Sequence, residues 1–344
     1  MIGDLVVAPG PEAAAGLAAA TAAMEVLDRS AAVNRKALAG SLLRIEAVAS
    51  CRIAGRHASQ RDVGVAMLRD IAAGAATRIA AGAATHAAAG VRAVEEALRR
   101  GDAVRPFAVE DLLEIQDILL APRPEPLPPL AVDLTRFCNR TDLDPLAHAA
   151  IAHAQFEALR PLADGDGRTG RALVQLVLRR RRLLTRMPVP VSAILLADPG
   201  AYAAGLVDYR EGRLDSWLVR FATATSHAAS AGLRLADDLA RLRTTWWETA
   251  RPRRGSAGAR ILEILPHQPV VDIDSLRTLT QRDSGGRVAD KNLYRAVDRL
   301  ADAGVLIEIS GGGRNRVWAA PDVLGLLERS GLSGRGGGRR WPTN

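Results

Sequence analysis

From Asp164 to Arg171 the chain reads DGDGRTGR: two carboxylates, three glycines and two arginines within eight residues. Gly165 and Gly167 remove side chains that would keep a ligand off the backbone, and the first turn of a following helix offers amides that have no partner inside the helix. Arg168 and Arg171, three residues apart, share one face of that helix. Bare amides, a helix dipole and two guanidinium groups are what a polyphosphate requires. Asp164 and Asp166 would repel phosphates unless a divalent cation sits between them. The same string also suits an ordinary helical turn whose arginines are solvated or paired with carboxylates.

Two helices must position this turn. Before it, Ile151, Phe156, Ala158 and Leu159 recur at helical spacing, and after it Leu173, Val174, Leu176, Val177 and Leu178 do the same. His148 and His153 lie on the first helix. His153 is seven residues before Arg160, about two turns back, a placement expected of a core histidine.

The string Arg160 to Arg171, RPLADGDGRTGR, resembles the signature of the Fic (Fido) family, HxFx(D/E)GNGRxxR. Proteins of that family typically transfer AMP from ATP to a hydroxyl on a target protein. The resemblance implies a nucleotide site at Gly165, Asp166, Gly167, Arg168, Gly170 and Arg171, with Asp164 as the metal carboxylate and ATP or another nucleotide with magnesium as cofactor. Three positions depart from it. Arg160 stands where the family has its catalytic histidine, Leu162 where it has phenylalanine, and Asp166 where it has asparagine. The family histidine removes a proton from the attacking hydroxyl; a guanidinium stays charged and cannot. A second carboxylate at Asp166 implies stronger metal dependence.

Ala37 to Gly55, ALAGSLLRIEAVASCRIAG, resembles the segment that carries an inhibitory helix ahead of the catalytic core in part of this family. There an SxxxEG motif supplies a glutamate that reaches the second motif arginine. Ser50 and Gly55 fit the pattern; Ala54 occupies the glutamate position. A missing base and a missing inhibitory glutamate fit relaxed selection on AMP transfer, and equally a chemistry that needs no brake. Beyond the turn, Tyr202, Leu206, Arg210 and the Trp217–Leu218 pair match the pattern closing the nucleotide side. Tyr202 faces the base or belongs to the core. Between Leu120 and Leu130 the proline-rich APRPEPLPPL shows no pair of alternating strands, where active members carry a hairpin flap for the target.

The resemblance covers roughly Ser41 to Arg243, and it implies a mainly α fold, a Fido helical core followed by a small winged-helix domain. The expected divisions are 1–40 as a loose leader to about Ala20 and a first helix, 41–250 as the Fic domain, 251–258 as a linker, 259–330 as the winged helix and 331–344 as a disordered basic tail. In the last domain, helices are expected over 259–265, 273–280 and 288–303, then short strands over 305–309 and 317–319. Such modules place the third helix in a DNA major groove and the wing on the backbone. Arg287, Lys291, Asn292 and Arg295 on or before that helix, and Arg314 and Arg316 in the wing, could meet phosphates or bases. A solvated face on a module that binds protein or forms a dimer arm fits them as well.

The chain carries a net charge of +8, of which +6 lies from Arg251 onward. No apolar run nears the roughly 18 residues that span a bilayer, so no membrane contact and a cytosolic location are expected. Cys51 and Cys138 have no metal-ligand spacing and read as reduced, buried thiols. Two functions remain: a degenerate Fic protein that binds a nucleotide and couples it to DNA or partner binding, or an AMP or phosphoryl transferase with a non-standard base.

Overall fold

The computed structural model describes residues 2–30, 34–73, 82–119, 129–159, 166–284, 288–310 and 316–332. Alanine, leucine and arginine, all good helix formers, make the chain mainly α. The helices are α1 Pro11–Arg29, α2 Arg35–Ile53, α3 Gln60–Ala73, α4 Ala83–Gly101, α5 Val109–Leu119, α6 Pro129–Cys138, α7 Pro145–Leu159, α8 Asp166–Arg180, α9 Val191–Ala197, α10 Pro199–Arg210 and α11 Leu214–Ala250. The C-terminal part runs α12 Ala257–Ile264, β1 Val270–Val271, α13 Ile273–Ser284, α14 Asp290–Asp302, β2 Ile307–Glu308, β3 Trp318–Ala319 and α15 Pro321–Leu332. Among the described residues no single helix is long and apolar enough to cross a membrane.

The stretch expected as a loose leader is largely helix α1. Pro11 stands in its first turn, where a missing N–H is no loss. Ala13, Leu17, Ala20, Met24 and Leu27 then recur at helical spacing and bury against α11. The apolar stripe that receives them lies some two hundred residues later, beyond any local reading. Ahead of α1, the amides of Ile2 and Gly3 donate to the Asp133 carboxylate on α6, at 2.5 and 3.0 Å.

Helix α2 is buried on every side from Ser41 to Cys51. It packs against α4, α8, α9 and α11, and also against α15 of the C-terminal part. A helix so enclosed is usually apolar all round, yet this one contains Ser41, Arg44, Glu46 and Ser50, each buried. Arg44 is held by Gln60, whose Oε1 and carbonyl accept from Nε and Nη2 at 2.9 and 2.5 Å. Ser41 donates to the carbonyl of Pro266 at 2.8 Å.

In the C-terminal part a Ser256 cap on the Ala259 amide starts α12 at Ala257, so the linker ends before the expected Gly258. Helix α14 buries Leu293, Ala296, Val297 and Leu300. Its two expected strands pair with a third that was not expected, giving an antiparallel sheet in the order β1-β3-β2, with Val270 and Ile307 both opposite Ala319. Helix α15 also lies outside the expected set. It docks on α2, α3, α9 and α11.

Asp28 closes α1 onto the turn after α8. Its carboxylate accepts from the amides of Thr185, Arg186 and Met187 at 3.0, 2.7 and 2.9 Å, and from the Thr185 hydroxyl at 2.8 Å. Burial opposes the charge, but these donors outweigh it and hold the carboxyl below its ordinary range. The stability this supplies is therefore present above about pH 4 and is lost as pH falls below that value. Asp28→Asn should lower unfolding free energy by about 2–3 kcal/mol at neutral pH, with a smaller further loss on acidification than wild type, both read by denaturant unfolding.

Candidate functional site

Helices α7 and α8 flank the glycine-rich turn as the periodicity predicts. Arg160, Asp164 and Gly165 lie outside the described residues, as do the side chain of Asp166 and the proline-rich connector over 120–128. The described part of the site is built from α2, α7, α8 and α10.

Arg168 and Arg171 are both buried, each 3 % exposed, and both turn inward beneath α2. Arg171 donates from Nε to the Ser50 hydroxyl and from Nη2 to the Ser50 carbonyl, each at 2.8 Å. Its Nη1 lies 3.7 Å from Glu157 Oε1, close enough to pair with the charge. Arg168 lines a cavity of about 10 Å³ with Ser50 and Cys51 of α2 and Ala172 of its own helix. Burial pushes the Cys51 thiol up, against the pull of Arg168 and Arg171. Thus the second motif arginine is occupied although Ala54 replaces the expected glutamate. Ser50 does part of that work from one turn earlier, and Glu157 does the rest from α7.

The fold-back of Arg171 explains Gly167. A Cβ there would lie 2.8 Å from Arg171 Nη1 and 3.2 Å from Glu157 Oε1, so any side chain would displace the ion pair. Gly170 serves packing: a Cβ would sit 3.0 Å from Phe156 and 3.2 Å from His153 Nδ1 across the α7–α8 contact.

His153 is fully buried, as expected of a core histidine. Burial lowers its pKa to about 4; the nearby Glu157 pulls the other way. It is therefore neutral at pH 7. Its Nε2 lies 2.9 Å from the Tyr202 hydroxyl, and the two rings stack 5.9 Å apart. Tyr202 in turn donates to Glu157 Oε1 at 3.4 Å. Burial raises the phenol above its ordinary range, so it stays protonated. A line of polar contacts thus runs from His153 through Tyr202, Glu157 and Arg171 to Ser50. Of the two roles open to Tyr202, the phenol fills the internal one here. His148 is likewise buried, its Nε2 2.8 Å from the Phe137 carbonyl, and burial takes its pKa to about 4.

Two acids at the site were missed. Glu157 sits at the end of α7, three residues before the quoted motif begins at Arg160, and the family pattern assigns it nothing. Glu46, one turn before Ser50 on α2, accepts from the Ser192 amide at 2.8 Å and pairs with the Ser192 hydroxyl at 2.5 Å. A glutamate in a helix ordinarily reads as a solvent face, and only the enclosure of α2 reveals it. Among the described residues no group of three or more His, Cys, Asp or Glu is placed to hold a metal; Asp164, the expected metal carboxylate, lies outside them.

In the C-terminal part Lys291, Asn292 and Arg295 are exposed along α14. Arg316 is engaged: Nε and Nη2 meet Glu308 Oε2 at 2.8 and 2.7 Å, and the guanidinium lies 4.9 Å from the Trp318 ring centre. Arg287 and Arg314 lie outside the described residues.

Residues 118–178 match the model of the Fic/DOC family. The fold is similar to that of a Fic family protein from Desulfovibrio desulfuricans G20, with 16% identity, 97% of this chain and 99% of that one covered, and a TM-score of 0.52. Fic-1 from C. elegans gives 17% identity, 64% of this chain and 71% of that one, and a TM-score of 0.49.

Burial raises Glu46 to about 7, against the Ser192 bonds and the attraction of Arg171. With the folded value above the unfolded one of about 4.3, the stability tied to neutral Glu46 is complete below that pH and lost as pH rises through about 7. Glu46→Gln keeps an acceptor for the Ser192 amide and a donor for its hydroxyl. Melting temperature against pH should therefore fall less steeply between pH 5 and 8 for the variant than for wild type; parallel profiles would contradict a titrating Glu46.

Proposed function

Starting from a chain that carries a Fic/DOC-family domain, we propose that it binds a nucleotide at the DGDGRTGR turn and that helix α2 couples this binding to the C-terminal module. The family connection supports a general nucleotidyl- or AMP-transfer type of function. Within that type, this chain is a degenerate member whose nucleotide acts as a signal more than as a substrate.

One observation carries the reading. Ser50 of α2 holds Arg171, and Arg52, two residues on, is held by Glu328 of α15 at 2.8 Å. Residues two apart on a helix point about 200° away from each other, so the two bonds pull on opposite faces of one helix. Glu328 also accepts from the Gln60 amide at 2.5 Å, and its charge supports the buried Arg44. Phosphates approaching Arg171 compete with Ser50 and Glu157, and α2 transmits the outcome to α15. Coupling of this kind is reciprocal.

The residues fit a nucleotide with its metal. Arg171 Nη1 lies 3.7 Å from Glu157 Oε1, a loose pairing that a phosphate would replace; Asp164 would hold magnesium. When bound, ATP would supply the AMP group. Neither expected place supplies a general base, since Arg160 cannot accept a proton and His153 is enclosed beside Tyr202. For the module we favour a winged helix whose exposed Lys291, Asn292 and Arg295 meet duplex DNA, with Arg314 of the wing. Arg316 contributes less there, because Glu308 already offsets its charge.

Calorimetry with magnesium-ATP tests the coupling. Ser50→Ala removes a competitor for Arg171 and should tighten binding by about 3- to 10-fold, and Glu328→Gln should act in the same direction. No heat from any common nucleotide, or an affinity unchanged from wild type in both variants, would sink the reading. Labelled AMP transfer should be absent or very weak in wild type and should appear in Arg160→His, because a positioned base typically contributes about 10²- to 10⁴-fold. Strong labelling by the unmodified chain would instead establish an active transferase.

A further inference from the structure

A cavity of about 620 Å³ lies between the turn that follows α11 and the third helix of the C-terminal module, far larger than the 10 Å³ spaces beside Arg168 and Tyr202. Its volume falls within the usual range of small-ligand sites, about 300–1,000 Å³. Arg251, Arg253 and Arg260 line it from the turn and α12, and Arg295, Arg299 and Asn292 from α14. No carboxylate is among its described lining residues. Two acids of α14 have partners of their own: Asp290 pairs with Arg277 at 2.8 Å, and Asp298 approaches Arg316 at 3.9 Å.

The wall behind the arginines is apolar. Ala296 and Leu300 are buried in α14, and Val288, Pro252 and Ala257 complete the surface. The cavity depends on a constrained backbone. Arg251 ends α11 in the left-handed region, φ 41°, a conformation unusual for a residue with a side chain. That reversal brings the turn against the start of α12, where a Cβ on Gly258 would stand 3.6 Å from Pro252 and 4.0 Å from Ala296.

We propose that this cavity is a second ligand site, independent of the DGDGRTGR turn, which takes a small phosphorylated molecule with a flat apolar body, of nucleotide size. Several guanidinium groups with no lining carboxylate select phosphate, and the Asn292 amide adds a neutral donor and acceptor. The apolar wall selects a ring beside the phosphate. A duplex backbone presents only phosphate and sugar and leaves that wall uncovered, so a small molecule fills the cavity better, and duplex DNA drawn to Asn292 and Arg295 would compete with it. Ligand bound at this point touches α14 and the end of α11 at once, so it would set how the module sits on the helical core.

The test is calorimetry of the full chain with ADP, AMP, pyrophosphate and duplex DNA. Arg299 is exposed and lines the cavity, so Arg299→Glu reverses a charge there without disturbing the core. Arg234→Glu, exposed on α11 and outside the cavity, is the control. ADP should bind the Arg171→Ala chain, whose turn site is disabled, and the further change Arg299→Glu should weaken it by about tenfold or more, while Arg234→Glu leaves it unchanged. Should Arg171→Ala fail to fold, Arg299→Glu in the wild-type chain should reduce the number of ADP sites by one. The proposal is overturned if ADP and AMP binding ignore Arg299→Glu, if only DNA responds to it, or if pyrophosphate binds as tightly as ADP, which would leave the apolar wall without a role. Binding that depends on Arg299 but not on Arg171 would uphold this site while removing the nucleotide from the turn.

Discussion

The structure depends on the full enclosure of one helix that is not apolar. From Ser41 to Cys51, α2 has no solvent face, and a buried polar group without a partner costs about as much as a hydrogen bond gained elsewhere, and more if charged. Each polar side chain of α2 therefore reaches a different element. Ser41 meets the loop after α12, Arg44 the start of α3, Glu46 the start of α9, Ser50 the motif arginine on α8, and Arg52 the last helix α15. Apolar packing alone would let α2 rotate or slide with small loss. This set of bonds fixes its register, and with it the relation between the motif and the C-terminal module.

The electrostatics of the site follow from that enclosure. Two arginines are buried side by side under α2, so acids must stand near them, and Glu157 and Glu46 do so from separate helices. Where a charge cannot be supported the group is neutral: His153 and His148 are both driven to low pKa, and the Tyr202 phenol is held protonated. The site lacks, among its described residues, a group poised near neutral pH and open to a substrate hydroxyl, which is what proton abstraction requires.

The two ends of the chain are less peripheral than their composition implies. Helix α1 covers α11 along its apolar stripe, and α15 covers α2. The C-terminal module thus meets the core through specific bonds, Glu328 to Arg52 and Asn34 to Glu263 among them. That contact, more than net charge, is what a change in the module would act upon.

Much of this was legible in the residues themselves. The helices on either side of the motif, the mainly α class, the core role of His153 and, after Arg251, three helices followed by two strands all follow from periodicity and turn chemistry, which are local properties. The loose leader, the bounds of the linker, the third strand and α15 were misjudged or unseen, because their partners lie far along the chain. Sequence also named Ser50 and Arg171 as matching motif positions, and the loss of glutamate at Ala54 removed the partner that the family pattern assigns to Arg171. Tertiary structure decided otherwise. The bonds from Arg171 to Ser50 and from Ser192 to Glu46 join residues 121 and 146 positions apart, and Arg52 and Glu328 are separated by 276. No spacing rule reaches that far. Whether an arginine or a glutamate on a helix faces water or a buried partner is set by what packs over it, and only the assembled fold places that covering.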